Sequence, residues 1–266
     1  MTTYRTAFVT GASSGIGASF AEALAAAGSD LILVARSTDK LEALAAQLRE
    51  RHGNRVEVVT ADLALPNAAM KLAAAVAERG MTVDLLINNA GFGGVGPFAA
   101  AGLARHQQMV ALNCAAVVEL THVFLPAMLD ARHGGVINVA SMAGFQATPF
   151  MSLYGATKAF VLSFSEGLWA ECRRRGVKVL ALCPGPVETG FFAATGDAQL
   201  RKSIPNGLVM QADEVVRQSL RALESGRSVL VPGVIGKFVS QMPRLMPRSW
   251  MALATARAMK QAAPSR

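Results

Sequence analysis

The chain has 266 residues, of which 52% are hydrophobic and 17% charged; α/β proteins reach this length as one unit, and this balance suits two helical layers around a buried parallel sheet. Three cysteines without a C-x-x-C pair and four widely separated histidines exclude a disulfide framework and any standard metal motif, so no metal site is expected. The net charge of +8 is confined to one end: residues 1–200 carry 15 basic and 15 acidic side chains, residues 201–266 carry 11 and 3.

Short runs rich in Val, Ile and Leu predict strands at Thr6–Val9, Leu31–Ala35, Val56–Thr60, Leu85–Asn88, Val136–Ala140, Val177–Cys183 and Ser228–Val231. Helix-length segments rich in Ala, Leu and Glu separate them, among them Phe20–Ala27, Thr38–Arg51 and Asn67–Arg79. The runs are continuous rather than alternating, as strands buried on both faces should be. Alternating β and α elements predict a doubly wound Rossmann fold: a seven-stranded parallel sheet flanked by helices on both faces. Residues 1–232 form the predicted catalytic domain, and residues 233–266 a basic C-terminal helical extension of it. Two segments break the alternation: the long glycine-containing connection 186–210, which reads as a lid, and the tail after Gly233.

The turn after the first strand reads Thr10-Gly11-Ala-Ser13-Ser14-Gly15-Ile16-Gly17. Glycines at such a turn let backbone approach a pyrophosphate, and the following helix N-terminus offers free N–H groups to its oxygens. The same residues satisfy G-x-S-x-G, the hydrolase nucleophile elbow, but no histidine follows His133, so that reading lacks its base. The second strand ends at Ala35, and Arg36 follows it. An acid there would hydrogen-bond the ribose 2′-hydroxyl of NAD, whereas an arginine accommodates the 2′-phosphate of NADP. NADP(H) is therefore the expected cofactor and NAD the lesser alternative.

Ser141 closes the fifth predicted strand, and Tyr154 and Lys158 follow at a spacing of four, which puts the last two on one helical face. An ammonium beside a phenol favours its ionisation, so the pair is suited to moving a proton. Ser141 at a strand's carboxyl end would hold the substrate oxygen.

Taken together, Thr10-Gly-x-x-x-Gly-x-Gly17, Asn88-Asn89-Ala90-Gly91, Ser141, Tyr154-x-x-x-Lys158 and Pro184-Gly185 resemble, in order and spacing, the classical short-chain dehydrogenases/reductases. The resemblance covers about residues 1–232, and the extended tail is similar to the steroid dehydrogenase-like branch. It implies a catalytic set of Asn113, Ser141, Tyr154 and Lys158, with Asn113 holding a relay water. It implies a cofactor site built from Gly11, Ser13, Ser14, Gly15, Ile16, Gly17, Arg36, Asp62, Leu63, Asn89, Ala90, Gly91, Tyr154, Lys158, Pro184, Gly185, Val187 and Thr189. Asp62 would contact the adenine, Lys158 the nicotinamide ribose and Thr189 the carboxamide. Ser14 stands where NADP-preferring relatives often carry a basic residue, so the NADP expectation rests on Arg36. The implied activity interconverts a carbonyl and an alcohol, in the direction of reduction. The other reading is an NADP(H)-binding sensor or scaffold without turnover; the intact Ser141, Tyr154 and Lys158 argue against it.

The apolar residues of Gly144–Met151 and Phe92–Phe98, with Phe191, Phe192 and Ile204, predict a pocket for a hydrophobic ketone or aldehyde. By the resemblance, homodimers or tetramers form through the long helices that hold Asn113 and Tyr154. In the tail, Ser249 is a plausible N-cap for a helix Trp250–Gln261, with Trp250, Leu253 and Ala254 on one side and Arg257 and Lys260 near its end. That helix is expected to pack over the substrate pocket or a second subunit, or to touch an anionic membrane. Its aromatic residues do not alternate with basic ones, which argues against nucleic acid. The N-terminal residues lack the apolar core of a signal peptide and no run of 18 apolar residues occurs, so the expected location is cytoplasmic.

Overall fold

The computed structural model describes residues 4–189, 204–233, 236, 240 and 247–262. Seven strands occupy nearly the predicted positions: β1 Thr6–Thr10, β2 Asp30–Ala35, β3 Val56–Thr60, β4 Leu85–Asn88, β5 Gly134–Val139, β6 Val177–Leu182 and β7 Val229–Leu230. Every pairing among them is parallel, in the order β3-β2-β1-β4-β5-β6-β7. The sheet therefore winds in both directions from β1 and β4, and a crevice opens at their carboxyl ends.

Each continuous apolar run feeds two cores, because successive side chains of a strand point to opposite faces. Ala7, Val9, Leu31, Leu33, Leu85, Ile87, Ile137, Leu180 and Leu182 join one cluster. Against them pack α1 (Gly15–Ala26), α2 (Thr38–His52) and α7 (Ala212–Glu224). Phe8, Ile32, Val34, Leu86, Val136, Val177 and Val179 join the other. That face is covered by α3 (Ala68–Glu78), α5 (Ala116–Asp130) and α6 (Ser152–Cys172). Phe8 is fully buried and meets Phe124 of α5 with ring centroids 4.9 Å apart. Truncating such a phenylalanine to alanine costs about 3–5 kcal/mol.

Helix α2 keeps one apolar stripe. In α2, Leu41, Ala45 and Leu48 are buried, Asp39 sits in the first turn, and Gly53 ends the helix in a left-handed conformation. Helix α4 (Leu103–Val110) runs into α5 through a π-helical turn at Ala111–Ala115. Together Leu103–Asp130 is, among the described residues, the one helical stretch long and apolar enough to cross a membrane by length and composition. Here it packs against α3 and the sheet.

The tail helix α8 spans Arg248–Ala262 and so begins before the predicted start. The carbonyl of Pro247, not Ser249, accepts the first helical bonds, from the N–H groups of Trp250 and Met251. A proline carbonyl serves here because only the carbonyl of a capping residue enters the ladder. Phe191, Phe192 and Pro243–Met246 lie outside the described residues, as does the side chain of Lys260.

Candidate active site

The glycine turn is fixed to its neighbouring strand by a hydroxyl and an amide. Thr10 Oγ1 donates to the Ile87 carbonyl (3.1 Å) and accepts from the N–H groups of Asn89 (2.9 Å) and Ala90 (3.0 Å). Asn89 Nδ2 donates to the Thr10 carbonyl at 2.9 Å. Gly11 and Gly15 both take positive φ, 64° and 57°. A Cβ on Gly17 would lie 2.3 Å from the Gly11 carbonyl oxygen. Its role is thus to let α1 press against the turn, and it does not line the crevice.

The crevice is one cleft of about 620 Å³. One part of it is walled by Gly11, Ser13, Ser14, Gly15 and Ile16, by Arg36 after β2, and by Asp62 and Leu63 after β3. Arg36 is exposed, with no ion-pair partner among the described residues. Asp62 Oδ1 accepts from the Ala64 N–H at 3.0 Å, which holds its turn in shape. Asn89, Ala90 and Gly91 follow β4, and Pro184, Gly185, Val187 and Thr189 follow β6 along the opposite wall. Thr189 packs over Gly15, where a Cβ would come within 3.0 Å of its side chain. All these segments leave carboxyl ends of strands, which explains how residues far apart in sequence meet.

At the floor stand Ser141, Tyr154 and Lys158. Ser141 caps a short 3₁₀ turn, its Oγ accepting from the Ala143 N–H at 3.1 Å, and it shares a hydrogen bond with the Tyr154 hydroxyl. Lys158 Nζ donates to the Val139 carbonyl at 2.7 Å and lies 5.8 Å from the Tyr154 ring centroid. Burial dominates both titrations. It raises Tyr154 to about 12, against a smaller downward pull from Ser141, and lowers Lys158 to about 8. In this buried setting desolvation outweighs the pulls towards the phenolate, so the resting phenol is neutral. Burial also pushes the neighbouring Cys183 thiol up to about 12, so it is no thiolate nucleophile.

Asn113 sits in the π-helical turn, 1% exposed, and does not line the cleft. Its Nδ2 donates to the Phe92 carbonyl (3.0 Å) and to Thr157 Oγ1 (3.1 Å), while its Oδ1 accepts from the Phe92 N–H (3.1 Å). Thr157 in turn donates to the Tyr154 carbonyl at 2.7 Å. Asn113 therefore ties the segment after Gly91 to the helix bearing Tyr154. Beneath lies a buried chain: Asn88 Nδ2 donates to Thr121 Oγ1 and Asn138 Oδ1, and Asn138 Nδ2 donates to Ser165 Oγ. Sequence reasoning did not find Thr157, Asn138 or Ser165, because polar residues inside apolar runs carry no signal of their partners.

Another part of the cleft is apolar. Phe92, Met151 and Ile204 line it as expected, joined by Leu112, Met142, Pro186 and, from the tail helix, Met259. Arg105 steadies this wall, its guanidinium 5.3 Å from the Phe92 ring centroid. Phe145 packs instead against a core cluster, and Phe98 is exposed and stacks on His106.

A family model described as short chain dehydrogenase matches residues 5–200. The chain belongs to this family, on its steroid dehydrogenase-like branch. The chain is 30% identical to a human very-long-chain 3-oxoacyl-CoA reductase over 256 residues, which cover 93% of the chain and 77% of that protein. Among solved structures it resembles a short-chain dehydrogenase from Sphingobium yanoikuyae in complex with NADPH, at 34% identity and a TM-score of 0.80 over 98% of this chain and 96% of that one. It also resembles a bulky-bulky ketone specific alcohol dehydrogenase from Comamonas testosteroni, at 30% identity and a TM-score of 0.77 over 100% and 96% of the two chains. The chain is an oxidoreductase with an NADP-binding Rossmann fold.

Proposed function

We propose that the protein is an NADPH-dependent reductase of a bulky hydrophobic ketone or aldehyde, with Tyr154 as the general acid. The observation that carries this reading is the buried Tyr154, hydrogen-bonded to Ser141 in a cleft lined by the glycine turn and Arg36 as well as by apolar side chains.

The residues fit a dinucleotide. Gly11 and Gly15 adopt conformations that L side chains resist, and a Cβ on Gly91 would stand 3.0 Å from Asn113 Oδ1 at the cleft wall. Backbone N–H groups at the start of α1 suit a pyrophosphate, and Arg36 suits a 2′-phosphate. When bound, the cofactor supplies the hydride. Ser141 and Tyr154 hydrogen-bond the substrate oxygen and polarise its carbonyl, and Tyr154 gives its proton as the oxygen becomes an alkoxide. One hydride and one proton turn the carbonyl into an alcohol. Lys158 offers positive charge at the floor, which stabilises the tyrosinate left behind. Asn113 positions the segment from Gly91 to Phe92 rather than touching the reacting atoms.

The apolar wall of Phe92, Met142, Met151, Ile204 and Met259 supports a bulky substrate of steroid-like, lipid-like or 3-oxoacyl type, because unbranched methionines adapt to varied shapes. The likenesses to a 3-oxoacyl-CoA reductase and to a bulky-bulky ketone specific alcohol dehydrogenase point the same way. In this reading the tail helix contributes to the cleft through Met259. A homodimer or tetramer is favoured by the exposed Val110 and Val118 flanking α4 and α5 and by Phe160 on α6.

A panel of aromatic, steroidal and long-chain ketones, assayed with NADPH and NADH, tests the reading. NADPH-dependent reduction of bulky members is expected, and Tyr154→Phe should lose about 10²–10⁴-fold in rate. Near-parental activity in that variant, or NADPH binding without turnover on any ketone, would overturn it; the second result is the one a sensor protein gives.

A further inference from the structure

Helix α8 has a half-buried stripe and, on its outer side, two large apolar side chains that the described residues leave exposed. Met251, Ala252, Thr255, Ala256 and Met259 are half-buried and form one stripe, whose last member lines the substrate cleft. On the other side Trp250, Leu253, Ala254 and Arg257 are exposed, with Trp250 at 65% and Leu253 at 62%. Trp250 and Leu253 thus stand as an apolar spot beside Arg257, where the outer face of a surface helix is ordinarily polar.

The charge around it selects among occupants. After Glu224 the sequence holds seven basic residues and no acidic one, and two of them, Arg248 and Arg257, are exposed on this helix. A second copy would set one basic helix against another, which repels. Nucleic acid has no use for an exposed leucine. An anionic lipid bilayer satisfies both features: it takes up the indole and the leucine at its interface and attracts the cations. We propose that α8 docks the protein on an anionic membrane through Trp250, Leu253 and Arg257. Because Met259 on the inner face reaches the cleft, the docked helix holds the cleft mouth close to the bilayer, where a hydrophobic carbonyl compound dissolves. This last step rests on the substrate class proposed above; the docking itself does not.

The test uses the full chain and vesicles of phosphatidylcholine alone or mixed with equal phosphatidylglycerol. Sedimentation with the anionic vesicles and not the neutral ones is expected, weakening as salt rises. Trp250→Ser combined with Leu253→Ser should lower association by about tenfold or more, as loss of two buried apolar side chains implies, and Arg257→Glu should erase the preference for anionic lipid. The chain has two tryptophans, so Trp169→Phe leaves Trp250 as sole reporter, and its emission should shift to the blue on anionic vesicles only. Equal binding to both vesicles, binding to neither, or a double variant that binds like its parent would overturn the proposal. So would a double variant that changes the oligomeric state in sedimentation velocity, since the face would then be a subunit contact. Reduction of a water-soluble ketone by the double variant should stay within about twofold of the parent. A failed vesicle experiment with that activity intact sinks the docking and leaves the reductase reading standing; absent activity with intact docking does the reverse.

Discussion

Lys158 Nζ lies 5.8 Å from the centre of the Tyr154 ring and directs a 2.7 Å hydrogen bond at the carbonyl of Val139, the last residue of β5. The ammonium is thus moored to the sheet beside a phenol, and burial shifts the two groups in opposite directions, Lys158 down to about 8 and Tyr154 up to about 12. Both shifts favour the neutral forms.

The first consequence is a stability cost carried for function. Lys158 has its ordinary value in the unfolded chain and about 8 when folded. Between these values the unfolded state binds more protons, so stability rises with pH there, and the penalty is full below about 8. Lys158→Met should therefore stabilise the protein by about 1–2 kcal/mol at pH 7, after allowing for the lost bond to Val139. The gain should fade towards pH 10. Urea denaturation across that range without added nucleotide measures it; a variant less stable at pH 7 than at pH 10, relative to its parent, contradicts the argument.

Reduction should show a matching profile. With Tyr154 protonated to about 12, the general acid is available throughout the usual assay range. The descending limb of kcat/KM then follows Lys158 and should begin near pH 8, because kcat/KM reports groups of the free enzyme. A profile flat to pH 10 would show that the lysine charge is dispensable.

Arg36 should discriminate between cofactors. An arginine–phosphate contact is charge-assisted and worth about 1.5–3 kcal/mol. Arg36→Ala is expected to raise KM for NADPH by about tenfold or more and to leave KM for NADH nearly unchanged. Equal effects on both cofactors would remove the basis for NADP preference.

Gly17 should tolerate no side chain. A Cβ would sit 2.3 Å from the Gly11 carbonyl oxygen and 2.6 Å from Asn89 Nδ2. Gly17→Ala should cost about 1–3 kcal/mol of stability, as overpacking does, and weaken nucleotide binding through the displaced turn. Gly167→Ala, on the exposed side of α6, is the control, since nothing lies within 4 Å of its Cβ position. Thermal melts with and without NADPH compare the two.

The sequence by itself determined the sheet, the order of its elements and the pairing of Tyr154 with Lys158. These follow from local rules: a buried strand reads as an apolar run, and a spacing of four shares a helical face. It also marked the glycine turn and Arg36, since both stand next to a strand end. The tertiary structure alone decided the rest. Asn113 clamps the Phe92 backbone and Thr157 because a π-helical turn aims it inward, and no residue type in Ala111–Ala115 announces that turn. Gly17 serves packing rather than the cleft, which depends on how closely α1 approaches β1. The direction of the Tyr154 shift depends on burial, a property of all the neighbours at once. Met259 lies over a hundred positions from Tyr154 and lines the same cleft only because the chain returns across it. Spacing carries information over a few residues; contacts between distant segments form where the whole sheet places its carboxyl ends.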